Sequence, residues 1–355
     1  MKLLRMSFWW SIVVWFLLIA SSNLVESKCA FEAIFNFGDS NTDTGGFYAA
    51  FPSQGSPYGM TFFKRPVGRP TDGRVITDFL AQALGLPFVS PYLQSIGSDF
   101  RHGANFATSA STVLMPQTSL FVSGVSPFYL DVQLRQFKEF KAKVDASQGK
   151  GNTNLPPADI FGKSLYTFYI GQNDFTGNLA SQGIGGVKPY LPQVVSQITS
   201  TIKLSHDSSD IDEFGCLKSY NNAVVEYNNM LKDALAKTRK ELSDANVVYV
   251  DTHSVLLELF QHPTSHGLKY GTRACCGHGG GSYNFNQQVF CGNTKEINGQ
   301  TLSATACEDP YNYVSWDGIH ATEAANKQIA QAILSDSHFD PSFSLHKLCD
   351  IQPIG

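Results

Sequence analysis

The chain has 355 residues, 43% of them hydrophobic, with a formal net charge of −4. That length buries a large core, as one big domain or two ordinary ones. Only 16% of residues are charged and no Lys/Arg run stands out, which argues against nucleic acid as a partner.

The first residues read as a secretory signal. Lys2 and Arg5 form a positive start, and Phe8 to Ala20 is an apolar core too short for a membrane span. Val25 and Ser27 are small enough for cleavage before Lys28, which predicts a signal over residues 1–27 and a single mature domain over 28–355. A retained anchor is the alternative, and nothing later in the chain is apolar for long enough to span. Cleavage removes Lys2, Arg5 and Glu26 and leaves a charge of about −5. All seven cysteines, from Cys29 to Cys349, lie in the mature part. A secreted chain pairs its cysteines, so an odd number leaves one thiol without an internal partner. No Asn-x-Ser/Thr acceptor for glycosylation occurs.

Ile34–Phe37 reads as a buried strand that breaks into Gly38-Asp39-Ser40-Asn41. A Gly/Pro-rich stretch from Pro52 to Gly73 is too irregular for one element. "GRVITDFLAQALGL" then predicts a helix with Val75, Phe79, Leu80 and Leu84 on one face and Gly85 ending it. "GANFATSAS" from Gly103 is a small-residue passage from strand to loop. Tyr129–Val144 is amphipathic, and Ser164–Asp174 ("SLYTFYIGQND") is a buried strand ending in a polar turn. Helices are predicted over about 187–204 and 217–242, a further strand over Asn246–Thr252, and a last helix from about Thr322 to Leu334. Alternating helices and near-continuous apolar strands predict a parallel sheet covered on both faces. The alternation fails once, where "SHDSSDIDEFGC" joins two helices with no strand-length apolar run between them.

Three predicted strand ends carry polar residues: Ser40, Asn105 with the preceding Gly103, and Asn173. Ligands of open parallel sheets bind at the carboxyl ends of strands, so these turns can share one crevice. Near the C-terminus, Asp317 stands three residues before His320, ahead of the last helix. Together these supply the parts for acyl transfer: a serine nucleophile, an imidazole to take its proton, a carboxylate to orient the imidazole, and donors for an oxyanion. Each piece alone has a plain structural reading as a turn or a helix cap.

The four blocks "FNFGDSNTDTGG", "GANFATSAS", "YIGQND" and "WDGIHATEAAN" resemble those of the plant GDSL esterase/lipases, a branch of the SGNH hydrolases. Asn41 takes the place of the leucine in the family's name. The similarity extends from about Phe35 to Cys349. The resemblance implies a flavodoxin-like α/β/α sandwich with a mainly parallel sheet, and carboxylic ester hydrolysis without metal or organic cofactor. It implies Ser40 as nucleophile, His320 as base and Asp317 as its carboxylate. The oxyanion donors it implies are the N–H of Ser40, Gly103 and the side chain of Asn173. A cell-wall or small-molecule ester is the expected substrate, in the apoplast.

Two local patterns point elsewhere. "HGGG" at 278–281 mimics the oxyanion loop of α/β-hydrolases, which precedes a nucleophile in G-x-S-x-G; Ser40 lies far upstream, in G-D-S-N-T. Cys275, Cys276, His278 and Cys291 resemble a zinc set, but in a secreted chain disulfides are expected. Adjacent Cys275 and Cys276 then imply two bridges from this loop, with connectivity open.

The chain departs from the family in one place. Members carry roughly thirty residues before "DEFGC" that extend the helix, add a strand for a crossover and end in a Gly-Cys-Pro-like turn. This chain runs from "STIKLSHDSSD" straight into "IDEFGCLKSYN". The resemblance pairs the cysteine of that turn with Cys216, which leaves Cys216 unpaired here and the sheet short of one strand. Two rival readings follow: a catalytically silent cell-wall binding protein, and a glycoside hydrolase, since some relatives carry fucosidase names. Glycoside hydrolysis normally needs two facing carboxylates, a pair that Asp39, Asp43 and Asp317 do not suggest.

Overall fold

A computed structural model describes residues 29–116, 126–149, 151, 154–174, 212–216 and 218–355. The expected signal and the helix over 187–204 lie outside the described residues. In chain order the elements are β1 (Ala33–Gly38), α1 (Gly46–Ala50), α2 (Ile76–Ala83), β2 (Gly103–Asn105), α3 (Leu130–Ser147), β3 (Ser164–Tyr169), α4 (Lys218–Glu241), β4 (Tyr249–Val250), α5 (Thr252–Gln261), β5 (Tyr270–Ala274), β6 (Thr294–Ile297), β7 (Gln300–Ser303), β8 (Tyr313–Ser315), α6 (Glu323–Leu334) and β9 (Phe339–Asp340).

Every residue of β1 is buried, and the strand pairs in parallel on both sides, giving the order β2-β1-β3. Side chains alternate across a strand. Phe35 and Phe37 therefore face one way, into a cluster with Phe106, Ile160, and Phe140 and Val144 of α3. Ile34 faces the other way, against Ala81 of α2 and Leu84 and Val89 beyond it. Helices thus cover both faces, and the α/β fold with a parallel sheet is as expected. A further core joins α2, α5 and α6 through Ile76, Leu80, Leu259, Val314, Ala325 and Ile329.

The strand expected over Asn246–Thr252 differs. Only Tyr249–Val250 pairs, antiparallel to Phe339–Asp340, and it does not join the parallel sheet. Among the described residues no strand lies beyond β3, where Phe168 is 62% exposed. Among the described residues, β9 is the one strand that the apolar run of β4 pairs with.

Disulfides join Cys29 to Cys349, Cys275 to Cys307 and Cys276 to Cys291, so two bridges leave the cysteine-rich loop, as its adjacent cysteines implied. Cys216 carries a free thiol. Among the described residues, no helix is long and apolar enough to cross a membrane.

Candidate active site

β1 ends where the backbone is most crowded. A Cβ on Gly38 would lie 2.4 Å from the Tyr169 carbonyl and 2.6 Å from Thr42 Oγ1, so only glycine fits. Gln133 of α3 brackets the same residue, its Oε1 accepting from Gly38 N–H at 3.0 Å and its Nε2 donating to Gly38 O at 2.9 Å. The Asp39 N–H donates to Tyr169 O at the end of β3. Ser40 is thereby set just past the carboxyl ends of β1 and β3. It is 5% exposed, and neither its hydroxyl nor its N–H has a hydrogen-bond partner among the described residues.

Asp43 fastens this turn to the second block. Its carboxylate accepts the N–H groups of Gly45, Gly46 and Phe47 at the start of α1, and both the N–H and the hydroxyl of Ser109. Asn105, at the carboxyl end of β2, is spent in the same way: its amide donates to Thr42 O and Thr44 Oγ1, and its oxygen accepts from Asn36 and Ala107 N–H.

Gly103 is a correction. It opens β2 opposite Ile34, at the amino end of the sheet, and its N–H donates to Phe100 O. Four residue steps along β1 separate Ile34 from Gly38, about 13 Å at ~3.3 Å per residue, with Ser40 two residues further on. Its N–H therefore does not reach Ser40. The loop that does leave the carboxyl end of β2 passes through Ala110, a non-glycine residue at φ 63°. The N–H of Ala110 also has no partner among the described residues.

The third block meets this loop. Asn173 Nδ2 donates to Ser111 O at 2.9 Å, which uses one of its two amide hydrogens. The Asp174 carboxylate accepts Val113 N–H and Leu114 N–H at 2.8 and 3.2 Å.

The last block hangs from β8. Asp317 Oδ1 accepts the N–H groups of Ile319 and His320, and its Oδ2 lies 2.8 Å from His320 Nδ1. Burial pushes the Asp317 carboxyl up, but the His320 charge and these hydrogen bonds outweigh it and hold the group below its ordinary value. Burial likewise works against the imidazolium. The Asp317 charge and hydrogen bond, aided by the charges of Asp39 and Asp43, nevertheless raise His320 above its ordinary value. The charges of Asp39 and Asp43 that act on His320 belong to the turn after β1, the turn that also carries Ser40. Asp39 is fully buried and is pushed up to about 6, chiefly by desolvation. Its Oδ1 accepts from Asn41 N–H and Nδ2, while its Oδ2 has no partner.

The sequence model of the family described as GDSL-like Lipase/Acylhydrolase matches residues 34–333. A GDSL esterase/lipase of Arabidopsis thaliana is 57% identical, over 96% of this chain and 97% of its own. The chain belongs to the GDSL lipase/acylhydrolase family. A GDSL esterase/lipase of Medicago truncatula is 40% identical over 96% of this chain and 95% of its own. A protein named alpha-L-fucosidase 3, also of Arabidopsis thaliana, is 41% identical over 86% and 91%. The first alignment runs over 369 positions yet takes up 96% of the 355-residue chain, so roughly 28 of its positions are gaps in this chain.

Sequence reasoning missed several residues of this GDSL site. Gln133 and Asp174 had a signal in being polar where the surroundings are packed, but their partners are backbone groups that no pattern names. Ala110 carried none, because alanine does not advertise a positive φ. Tyr58 was also missed: its hydroxyl donates to Asp317 Oδ2 at 3.2 Å across 259 residues of sequence. The zinc reading fails because the sulfurs of Cys275, Cys276 and Cys291 are in disulfides.

Proposed function

We propose that the protein is a secreted serine hydrolase of carboxylic esters, made with a signal over 1–27 and acting as one domain over 28–355. The observation that carries this reading is the Asp317–His320 contact of 2.8 Å, taken with a Ser40 at the carboxyl ends of β1 and β3 whose hydroxyl has no hydrogen-bond partner among the described residues. With Nδ1 held by Asp317, the imidazole has Nε2 left to take the Ser40 proton. Ser40 Oγ attacks the ester carbonyl, and the alcohol leaves with the proton that His320 returns. Water then attacks the acyl-enzyme with His320 again as base, releasing the carboxylic acid. The N–H groups of Ser40 and Ala110 and the second amide hydrogen of Asn173 are the donors for the oxyanion, Ala110 taking the role expected of Gly103. Losing one such donor typically costs about 3 kcal/mol of transition-state stabilisation.

Ser40→Ala tests the assignment. It should abolish turnover of a short-chain p-nitrophenyl ester and labelling by a fluorophosphonate while leaving the far-UV circular dichroism unchanged. Turnover retained in the variant would refute it, and a wild-type protein that takes no label would favour a silent cell-wall binding protein. The fucosidase name of one relative has little support here. Asp43 and Asp317 are saturated by donors and Asp39 is fully buried, so these three offer no carboxyl pair facing a substrate.

We read the chain as a shortened member of its family. The alignment gaps, the free Cys216 and the lack, among the described residues, of a strand beyond β3 support this together. Disulfide pairing supports an oxidising, extracellular location.

A further inference from the structure

The carboxylate of Asp317 accepts from four donors, and one of them comes from outside its own turn. Oδ1 receives two backbone N–H groups, and Oδ2 receives both the imidazole N–H at 2.8 Å and the Tyr58 hydroxyl at 3.2 Å. Burial, the Asp317 charge and neighbouring Tyr48 push the Tyr58 phenol well up, so it stays an O–H donor at any working pH.

Tyr58 is held by the same frame that holds His320. Its loop ties back on itself through Gly59 N–H to Thr71 O and Thr61 N–H to Asp72 O. Thr71 Oγ1 then donates to Ala321 O, and Asp72 Oδ1 accepts Glu323 N–H, so the loop is bonded to the chain directly after His320. The Tyr58 ring meets buried Trp316 edge-on, with centroids 6.0 Å apart. Trp316 packs among Cys275, Cys276 and Cys291, and its carbonyl accepts the N–H of Cys276 at 2.6 Å. A side chain placed by contacts on three sides, with its one polar atom on the catalytic carboxylate, has a stronger claim to a role than a chance neighbour.

We propose that Tyr58 is a positioning residue for the acid–base pair: its hydroxyl fixes Asp317 Oδ2 against the imidazole and draws off part of that oxygen's charge, which sets how basic His320 is. This rests on the ester-hydrolase reading of Ser40, Asp317 and His320. The charged groups acting on His320 are Asp317 in its own turn and Asp39 and Asp43 in the turn after β1. Tyr58 acts on Asp317 alone, by hydrogen bonding. Without the hydroxyl the carboxylate charge concentrates on the imidazolium, so the His320 pKa rises. A base must be neutral to accept a proton, so the acidic limb of kcat/KM moves to higher pH.

The test is Tyr58→Phe, which deletes one oxygen and keeps the ring on Trp316. For a p-nitrophenyl ester, kcat should fall roughly 10- to 150-fold, the range expected for losing a hydrogen bond to a charged group. KM should change less than about twofold, because Tyr58 does not touch substrate. The His320 pKa, followed by NMR through an imidazole signal assigned by its loss in His320→Gln, should rise by about half a unit. A His320 pKa and acidic limb equal to those of the wild type overturn the proposal, whatever happens to kcat, because packing alone would leave both in place. If Tyr58→Phe does not fold, Tyr58→Met removes the donor with an apolar filler and must move the pKa the same way. The pKa measurement needs no turnover, so it can fail while Ser40 labelling succeeds, and the reverse.

Discussion

Asp39→Asn separates a cost in stability from a role in the site. The folded protein holds the Asp39 proton up to about pH 6, whereas an exposed aspartate releases it near 3.8. A shift of about two units corresponds to about 3 kcal/mol at 1.36 kcal/mol per unit. Because the folded pKa is the higher one, the folded state binds more protons between about pH 4 and 6. Stability from this group is therefore greatest below pH 4, falls as pH rises through the window, and stays low above it. Asparagine mimics the neutral form. Its oxygen keeps the two Asn41 contacts at 3.0 and 2.8 Å. Its amide takes the place of Oδ2, an atom without a partner, and costs about 1–3 kcal/mol at every pH. The absolute change is thus small or negative in acid, but the difference between variant and wild type should grow by about 3 kcal/mol in favour of the variant from pH 4 to 7.5. Urea unfolding at several pH values, with disulfides intact, measures it. Parallel stability curves for the two proteins would refute the reasoning. The variant also removes an anion that raises His320, so its acidic limb should move to lower pH, opposite to Tyr58→Phe.

Ala110→Gly should raise stability by about 1 kcal/mol, because φ 63° costs an L-residue that much and glycine little. kcat should stay within about threefold if its N–H serves the oxyanion; a loss of both stability and activity in the same unfolding and turnover assays would contradict the strained-backbone account. Restoring the family's strand-bearing segment should raise the thermal midpoint, since an apolar strand covering several hundred Å2 contributes several kcal/mol at about 25 cal/mol/Å2. Equal midpoints and equal soluble yield would remove the shortened-form reading.

What the sequence disclosed depended on how local each signal was. β1 extends one residue beyond its predicted strand at each end, because a continuous apolar run broken by Gly38 is a local pattern. The helix expected over 217–242 is found at Lys218–Glu241 for the same reason. Gly103 entered as an oxyanion donor implied by the family resemblance, whereas its glycine serves a close backbone approach: its Cβ would lie 1.9 Å from Ile34 O. That approach is to the amino end of β1, and strand direction within the block was invisible without the pairing register. Tyr58 lay in a stretch without periodicity, and its partner is set only by the tertiary fold.

Among the described residues, the outer side of β3 and the residues proposed for catalysis lie on different parts of the fold, and on the shortened-form reading this decides what the loss costs. Ser40, Ala110 and Asn173 are placed by β1, β2 and the turn after β3, and their loops are bonded mainly to one another. Asp43 holds Ser109, Asn173 holds Ser111, Asp174 holds Val113 and Leu114, and Gln133 holds Gly38. The acid–base turn is carried separately, on β8, which pairs with β5. Its supports are the backbone bonds from Cys275 to Ser315 O and from Cys276 to Trp316 O, and the loop bearing Tyr58. None of these contacts passes through the outer edge of β3, where Phe168 faces solvent. A strand missing there removes buried apolar surface and leaves an unpaired edge, both of which weaken the folded state and favour association. It does not remove a donor, an acceptor or a hydrogen bond from the site. The shortened chain should therefore lose folded molecules rather than rate: turnover per fluorophosphonate-labelled protein should match that of a restored chain, while the labelled fraction falls short.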